Sequence, residues 1–391
     1  MYDENIVQQA IAIHTETYGT EPTAAAYAPG RIEVLGNHTD YNEGTVLSAA
    51  INMGHCFCIS ASDKPGIRLT AGDLLETAEF DPASDERLPK NLQWANYVKG
   101  VMFYLRGQDI KIDSVDCTFL GSIPMGAGLS SSAALEVATA FAVLEYTGKT
   151  LGQNEIGILA QAAENNFAGC NCGLLDQFSS IFGVHHGLIH SDFRSLETYP
   201  VLLPDDVVFL MINPHIKHAL ADSPYNERRI SCELAATELD ALLDHPVKAL
   251  RDVSWADFEA NKDNINPEAA RRATHVIGEI TRVEQGVKLL AKGGKLVEFG
   301  QLLYDSHETS RTAFENSCDE LDVVVEAARE AGALGARLSG GGWGGSVVAL
   351  VHAADAGDIC EKIVQLCTAR GLEPTAEIII PSAGATVVKY R

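Results

Sequence analysis

Several stretches of this chain concentrate side chains able to do chemistry. In "GRIEVLGNHTDYNEG", Gly30 to Gly44, a strand-like run from Arg31 to Leu35 feeds a glycine and then the polar residues Asn37, His38, Thr39 and Asp40, with Tyr41 behind them. A plain loop has no use for such polar density, so these groups are expected to hold something. In "PMGAGLSSSAALEVA", Pro124 ends a strand, Gly126 and Gly128 allow unusual dihedrals, and Ser130, Ser131 and Ser132 lead into a helix. Free N–H groups and the positive dipole end at a helix start form an anion site, and glycine lets phosphate approach the backbone. Serine hydroxyls add donors, or a hard oxygen ligand for Mg2+. An ordinary serine cap would explain one hydroxyl and leave the other two, and both glycines, idle.

Two acids stand out. Glu164 lies on a helix, "LAQAAENNFAG", where a lone carboxylate is usually solvated. Asp176 lies in "NCGLLDQFSSIFG" between apolar neighbours, so it must either face solvent from a helix or be held by a cation in a cleft. "GGGWGG", Gly340 to Gly345, formally satisfies GxGxxG, but the strand-like "SVVALV" follows it where a dinucleotide fold needs a helix. Close approach of backbone to a ligand explains it better than a tight turn alone. "TGKT", Thr147 to Thr150, ends a helix where a Walker loop would open one, so Gly148 reads as a helix C-terminal residue.

The elements that must position these residues read as mixed helix and strand. Helices are expected over 5–18, from the serine run to Gly148, over 155–168, and then over 217–243, 268–292, 295–315, 319–332 and 355–370. Strands are expected over 31–36, 46–61, "DSVDCTFLGSIP", the Pro-bracketed "TYPVLLPDDVVFLMINP", both flanks of the Gly340 loop, "AEIII" and "ATVVKY". Gly-rich turns and Pro-bounded strands favour α+β layers over a doubly wound parallel sheet. The length of 391 residues implies more than one domain, and the character of the chain shifts near residue 200, dividing it into 1–200 and 201–391.

Composition excludes several classes. Hydrophobic residues are 46% and charged residues 21%, which is ordinary globular usage. The formal charge of −24 repels phosphate backbones and anionic membranes, so neither nucleic acid nor a membrane is an expected partner. A solvated acidic surface, of the kind a salty habitat favours, accounts for it. Any anionic substrate must be received by local positive groups or a metal. Nine cysteines, with close pairs of the C-x-C type, suggest neither a disulfide framework nor a zinc site. The acidic N-terminus is unlike a signal peptide, so the expected protein is soluble, cytoplasmic and monomeric.

"GRIEVLGNHTDYNEG", "GSIPMGAGLSSSAALEVA" and "ARLSGGGWGGSVVALV" fall in the order and positions of the three motifs of the GHMP kinases. "HTDYN" with "VLSAAI", "CGLLDQFSS" and "KHALADSPYNERR" resemble the galactokinase family in particular. The resemblance implies a two-domain fold with the active site in the interdomain cleft, and ATP-dependent phosphorylation of the anomeric hydroxyl of galactose. By the same resemblance Asp176 faces that hydroxyl as base or orienting anion, and Arg31 stands by it and the transferred phosphoryl group. Asn37, His38, Asp40, Gly173 and Tyr225 fall at sugar-binding positions. Gly126, Ala127, Gly128, Leu129, Ser130, Ser131 and Ser132 match the phosphate loop, and Ser132 with Glu164 the Mg2+ ligands.

The chain departs from the family pattern at Asn37, where galactokinases carry a Glu that reaches toward the sugar's C6 hydroxyl. Asn keeps a hydrogen-bonding carbonyl and loses the charge, which opens modified galactoses, galacturonate or N-acetylgalactosamine, as alternative acceptors. Trp343 stands where Phe is usual. A non-catalytic galactose and ATP sensor is a further alternative, against which the complete "GLSSSAA" and the presence of Asp176 and Arg31 both weigh.

Overall fold

The computed structural model describes residues 2–124, 126–170, 172–216, 222–292 and 295–389. The first half supplies β1 (Ala24–Leu35), β2 (Thr45–Ala61), β3 (Gly66–Ala71), β4 (Glu76–Phe80), β5 (Ser114–Gly121), β6 (Gly187–Asp192) and β7 (Glu197–Leu202). The second half supplies β8 (Val207–Asn213), β9 (Gly335–Ser339), β10 (Ser346–His352), β11 (Thr375–Ile379) and a short last strand, β12 (Thr386–Val387). One sheet runs β12-β1-β2-β5-β3-β4, with β6 and β7 added along β2; the other runs β11-β8-β10-β9. Only β3 against β5 is parallel, which makes the architecture α+β as expected.

Helices α1 (Glu4–Tyr18), α2 (Asn96–Gly107), α3 (Ser131–Thr147), α4 (Gln153–Ala163) and α5 (Leu175–Phe182) accompany the first sheet. Of the later helices, α6 (Asp222–Asp240) and α7 (Trp255–Asn261) precede α8 (Pro267–Ala291), which packs on α6 and on β1, β2 and β7, while α9 (Leu296–Thr309), α10 (Asp319–Ala331) and α11 (Ala356–Ala369) pack on the second sheet. The opening of the expected helix 217–243, residues 217–221, lies outside the described residues. Helix α3 is apolar on nearly every face and is correspondingly buried, packing on β1 and β2. It ends where expected, at left-handed Gly148.

Three strands, β3, β4 and β6, and three helices, α2, α5 and α7, escaped the sequence reading. β3 and β4 carry Arg68, Glu76 and Glu79, which blur the apolar alternation. α2 carries Gly100 in its interior, which lowers helix propensity. The glycine is needed there because a Cβ would press on Ala163 and Phe167 of the crossing helix.

The expected division at residue 200 falls inside β7 (Glu197–Leu202), and residues 382–388 return to the first sheet. Ser382 N–H donates to Ala50 O at 2.9 Å and Val388 N–H to Ala25 O at 2.9 Å. A buried apolar cluster also joins the halves, with Ile32, Leu35 and Leu47 from the first sheet meeting Phe209 and Val348 from the second and Phe299 of α9. The motif residues sit along this seam. Among the described residues every cysteine is a free thiol, and five, Cys56, Cys58, Cys117, Cys232 and Cys367, are buried.

Candidate active site

Register shifts in the pairing of β1 with β2 fall between Pro29 and Arg31 and between Glu33 and Leu35. Such bulges re-aim side chains, and Arg31 follows the first. Its Nε and Nη2 each lie 2.7 Å from Oδ1 of Asp176, and Nη1 donates to Gly128 O at 2.8 Å. Asp176 sits in the first turn of α5, where an acid suits the helix dipole, with its side chain 22% exposed. Both guanidinium contacts fall on one oxygen, which leaves Oδ2 without a protein partner among the described residues. A Cβ on Gly340 would stand 3.6 Å from Arg31 Nη2, so the third glycine-rich loop passes beside the same guanidinium. All three motifs therefore meet at Arg31.

The phosphate loop holds Gly126 and Gly128 at φ of 73° and 70°, and Ser130 at 57°. The first turn of α3 has no side-chain cap, so its N–H groups stand ready for an anion. The serines separate into distinct roles. The Ser130 hydroxyl is buried without a partner, Ser131 Oγ shares a 2.7 Å hydrogen bond with His55 Nε2, and Ser132 Oγ donates to Glu164 Oε1 at 2.8 Å. Burial lowers the His55 imidazole to about 4, so it meets Ser131 as a neutral ring. Ala127 and Leu129 are core residues whose backbone does the work. Ala127 O accepts from Ser346 Oγ at 2.7 Å, and Leu129 O from Arg31 N–H at 3.1 Å.

Glu164 opens a π-helical turn, Glu164–Ala168, at the end of α4, a distortion that often marks function. It is 5% exposed. Burial raises its pKa, the Asp176 charge adds to this, and no cationic side chain among the described residues neutralises it. No cluster of three His, Cys, Asp or Glu side chains among the described residues has metal-holding geometry. A Mg2+ ion nevertheless fits the Ser132 and Glu164 oxygens, because it habitually takes one or two protein oxygens and completes its shell with phosphate and water.

Of the residues expected at the sugar, Asp40 and Gly173 are in contact, and a Cβ at 173 would overlap the Asp40 carboxylate. Burial pushes Asp40 up to about 7, with Glu33 and Asp176 adding and a hydrogen bond from the Tyr41 N–H opposing. Tyr225 lies beside His38, with ring centroids 5.2 Å apart, and its phenol is raised well above 10 by burial and by Asp40.

Asn37 and His38 are placed differently from the expectation. Asn37 is 1% exposed. Its Nδ2 donates to Glu33 Oε1 at 2.9 Å and Gly340 O at 2.8 Å, and its Oδ1 accepts from Asn316 Nδ2 at 2.9 Å. Both amide hydrogens are thus taken by protein groups. The Asn37 N–H donates to Glu279 Oε2 at 2.8 Å, and the network continues through Arg337, whose Nη1 lies 2.9 Å from Glu33 Oε1. His38 Nε2 must donate to Gly341 O, 2.9 Å away, so Nδ1 accepts from Tyr41 O–H, also 2.9 Å. Burial holds this imidazole at about 4, hence neutral.

His38, Ser130 and Trp343, one in each motif, are non-glycine residues at positive φ, the kind of strain that concentrates at functional sites. Sequence reasoning missed Glu33, Glu136, Gln177, Glu279, Asn316 and Arg337. Gln177, adjacent to Asp176 in "LLDQF", carried a signal in its position; the others acquire meaning only through distant partners.

Residues 96–184 match the GHMP kinases N terminal domain and residues 287–368 the GHMP kinases C terminal domain. The fold and the three converging motifs are those of a GHMP kinase. Residues 12–61 match the galactokinase galactose-binding signature. The galactokinase of Pasteurella multocida (strain Pm70) is 40% identical over 350 residues, covering 88% of this chain and 89% of that one. The galactokinase of Haemophilus influenzae (strain PittGG) is 38% identical over 394 residues, covering 98% and 99%. The crystal structure of Lactococcus lactis galactokinase complexed with galactose matches with a TM-score of 0.91 at 30% identity, over 97% of this chain and 99% of that one. The chain belongs to the galactokinase family.

Proposed function

We propose that this chain transfers the γ-phosphoryl group of ATP to the C1 hydroxyl of galactose, giving galactose 1-phosphate and ADP. The observation that carries the reading is the Arg31–Asp176 pair, tied by Arg31 to Gly128 O at the mouth of the phosphate loop. Phosphoryl transfer asks chiefly for positioning and charge stabilisation, and the parts are arranged for both. The backbone from Gly126 to Ser132, at the uncapped start of α3, receives the triphosphate. Asp40, Gly173 and Tyr225 shape the sugar side, with His38 and Asn37 supporting them from behind. Asp176 Oδ2, left free by Arg31, takes the C1 hydroxyl proton as O1 attacks phosphorus, and ADP departs. Arg31 offsets charge on the equatorial oxygens.

Ser132 and Glu164 would hold Mg2+, which neutralises phosphate charge when bound. The reading includes a monomeric cytoplasmic enzyme, with small molecules as its ligands. The acceptance of a C6 acid or an N-acetyl sugar was argued from Asn37 facing the acceptor; with its amide hydrogens engaged by Glu33 and Gly340, galactose is the favoured acceptor.

The test is a coupled ADP-release assay across galactose, galacturonate, N-acetylgalactosamine, glucose and arabinose. Galactose-dependent release is expected. Galactose binding without ADP release from any sugar would overturn the kinase reading in favour of a sensor.

A further inference from the structure

We propose that Gln177 is a positioning residue for the metal ligand Glu164 and that Glu136 anchors it from the far side; this rests on the reading of Ser132 and Glu164 as the Mg2+ ligands. Gln177 is wholly buried between two carboxylates. Its Nε2 donates to Glu164 Oε2 at 2.7 Å and to Glu136 Oε2 at 3.2 Å. Both carboxylates, when ionised, accept only, so the two hydrogens of one amide nitrogen are the natural bridge between them. The other Glu164 oxygen, Oε1, is the one that meets Ser132. Gln177 therefore fixes the rear oxygen of Glu164 and turns the front oxygen toward the phosphate loop.

The arrangement is costly for a merely structural one. Glu136 Oε1 and Gln177 Oε1 are buried with no partner, and burial raises the Glu136 carboxyl well above its ordinary range. An apolar side chain at 177 would remove the unpartnered Gln177 Oε1 but would take the shared donor from Glu136 Oε2 and Glu164 Oε2, so it is the two carboxylates that require an amide there. Gln177 also follows Asp176 directly in the first turn of α5. One rigid helical turn thus holds both the group facing the sugar and the support of the metal ligand, so the two are set in a fixed relation. Partners that orient a metal ligand from behind typically govern affinity by about 10- to 100-fold.

Gln177→Met keeps the length and removes both donors. The probe is Mn2+ in place of Mg2+, its affinity read by electron paramagnetic resonance in the complex with galactose and a non-hydrolysable ATP analogue. The Mn2+ dissociation constant should rise about 10-fold or more, the Mg2+ concentration for half-maximal ADP release should move in parallel, and galactose affinity by calorimetry should stay within about twofold. Unchanged Mn2+ affinity with intact galactose binding would overturn the proposal. So would lost turnover at unchanged Mn2+ affinity, which would assign the effect to Asp176. If Gln177→Met fails to bind galactose, Glu136→Met, which removes only the far anchor, must weaken Mn2+ by about threefold or more, and an unchanged value there overturns the proposal equally. Absence of galactose-dependent ADP release from the unmodified enzyme at any Mg2+ concentration is a separate outcome, the failure of the kinase reading itself.

Discussion

Arg31 and Asp176 meet through a single oxygen: Nε and Nη2 of the guanidinium both lie 2.7 Å from Oδ1, while Oδ2 faces away from any protein donor among the described residues. In the proposed reaction the first oxygen is pinned for orientation and the second receives the acceptor hydroxyl's proton. Asp176→Asn keeps the shape and removes the base. We expect turnover to fall about 10²- to 10⁴-fold with galactose affinity largely kept. Near-normal kcat in the purified variant would exclude Asp176 as the base.

Arg31→Ala should be worse in one respect, because Nη1 also holds Gly128 O of the phosphate loop. Both kcat and the KM for ATP are expected to suffer, the former by about 10²-fold or more. Steady-state kinetics with each substrate varied separately reads the two effects. A change confined to the galactose KM would contradict the geometry.

Gly173→Ala probes the contact with Asp40. The added Cβ overlaps the carboxylate, so Asp40 must shift. The galactose KM should rise about 10-fold or more, the equivalent of losing one charge-assisted hydrogen bond, with the ATP KM unaffected. Equal rises in both would point to general disorder of the cleft instead.

Asp40 also makes a pH prediction. Burial pushes its carboxyl up to about 7, so the folded protein keeps a proton that the unfolded chain has released between about pH 4 and pH 7. Through this group, stability falls as pH rises across that window. His38, lowered to about 4, acts in the opposite sense, so the contribution must be read as a difference. Asp40→Asn cannot ionise, and its melting temperature relative to the unmodified protein should be higher at pH 7.5 than at pH 4.5. A difference independent of pH would refute the assignment.

Asn37→Glu is expected to cost stability before it alters sugar choice. The new carboxylate would lie against Glu33 and near Glu279, and would lose both donors that Asn37 supplies. A penalty of about 3 kcal/mol or more follows from an uncompensated buried charge, measurable in urea titration. An unchanged midpoint together with an altered acceptor preference would return Asn37 to the sugar pocket.

Much was legible in the amino-acid order alone. Continuous apolar runs marked β2 and α3, which are buried on nearly every face, and period 3.6 marked the long second-half helices, because both patterns are local consequences of which faces are buried. The glycine and serine patterns located the positive-φ loop and the uncapped start of α3, since backbone freedom and helix capping are also local. The order of the three motifs carried the family and the Arg31–Asp176 pairing, two residues 145 positions apart.

What the tertiary structure decided is the use each polar group makes of its hydrogen-bonding capacity. Asn37 looked like a pocket residue until Glu33, Gly340 and Asn316 took its amide, partners up to 303 positions away. Ser131 and Ser132 are neighbours of one type, yet one turns to His55 on β2 and the other to Glu164. Gln177 acquires its place only when α3, α4 and α5 bring Glu136 and Glu164 to either side of it. A buried donor must find an acceptor among whatever the fold packs beside it, and that is settled by long-range packing rather than by local propensity.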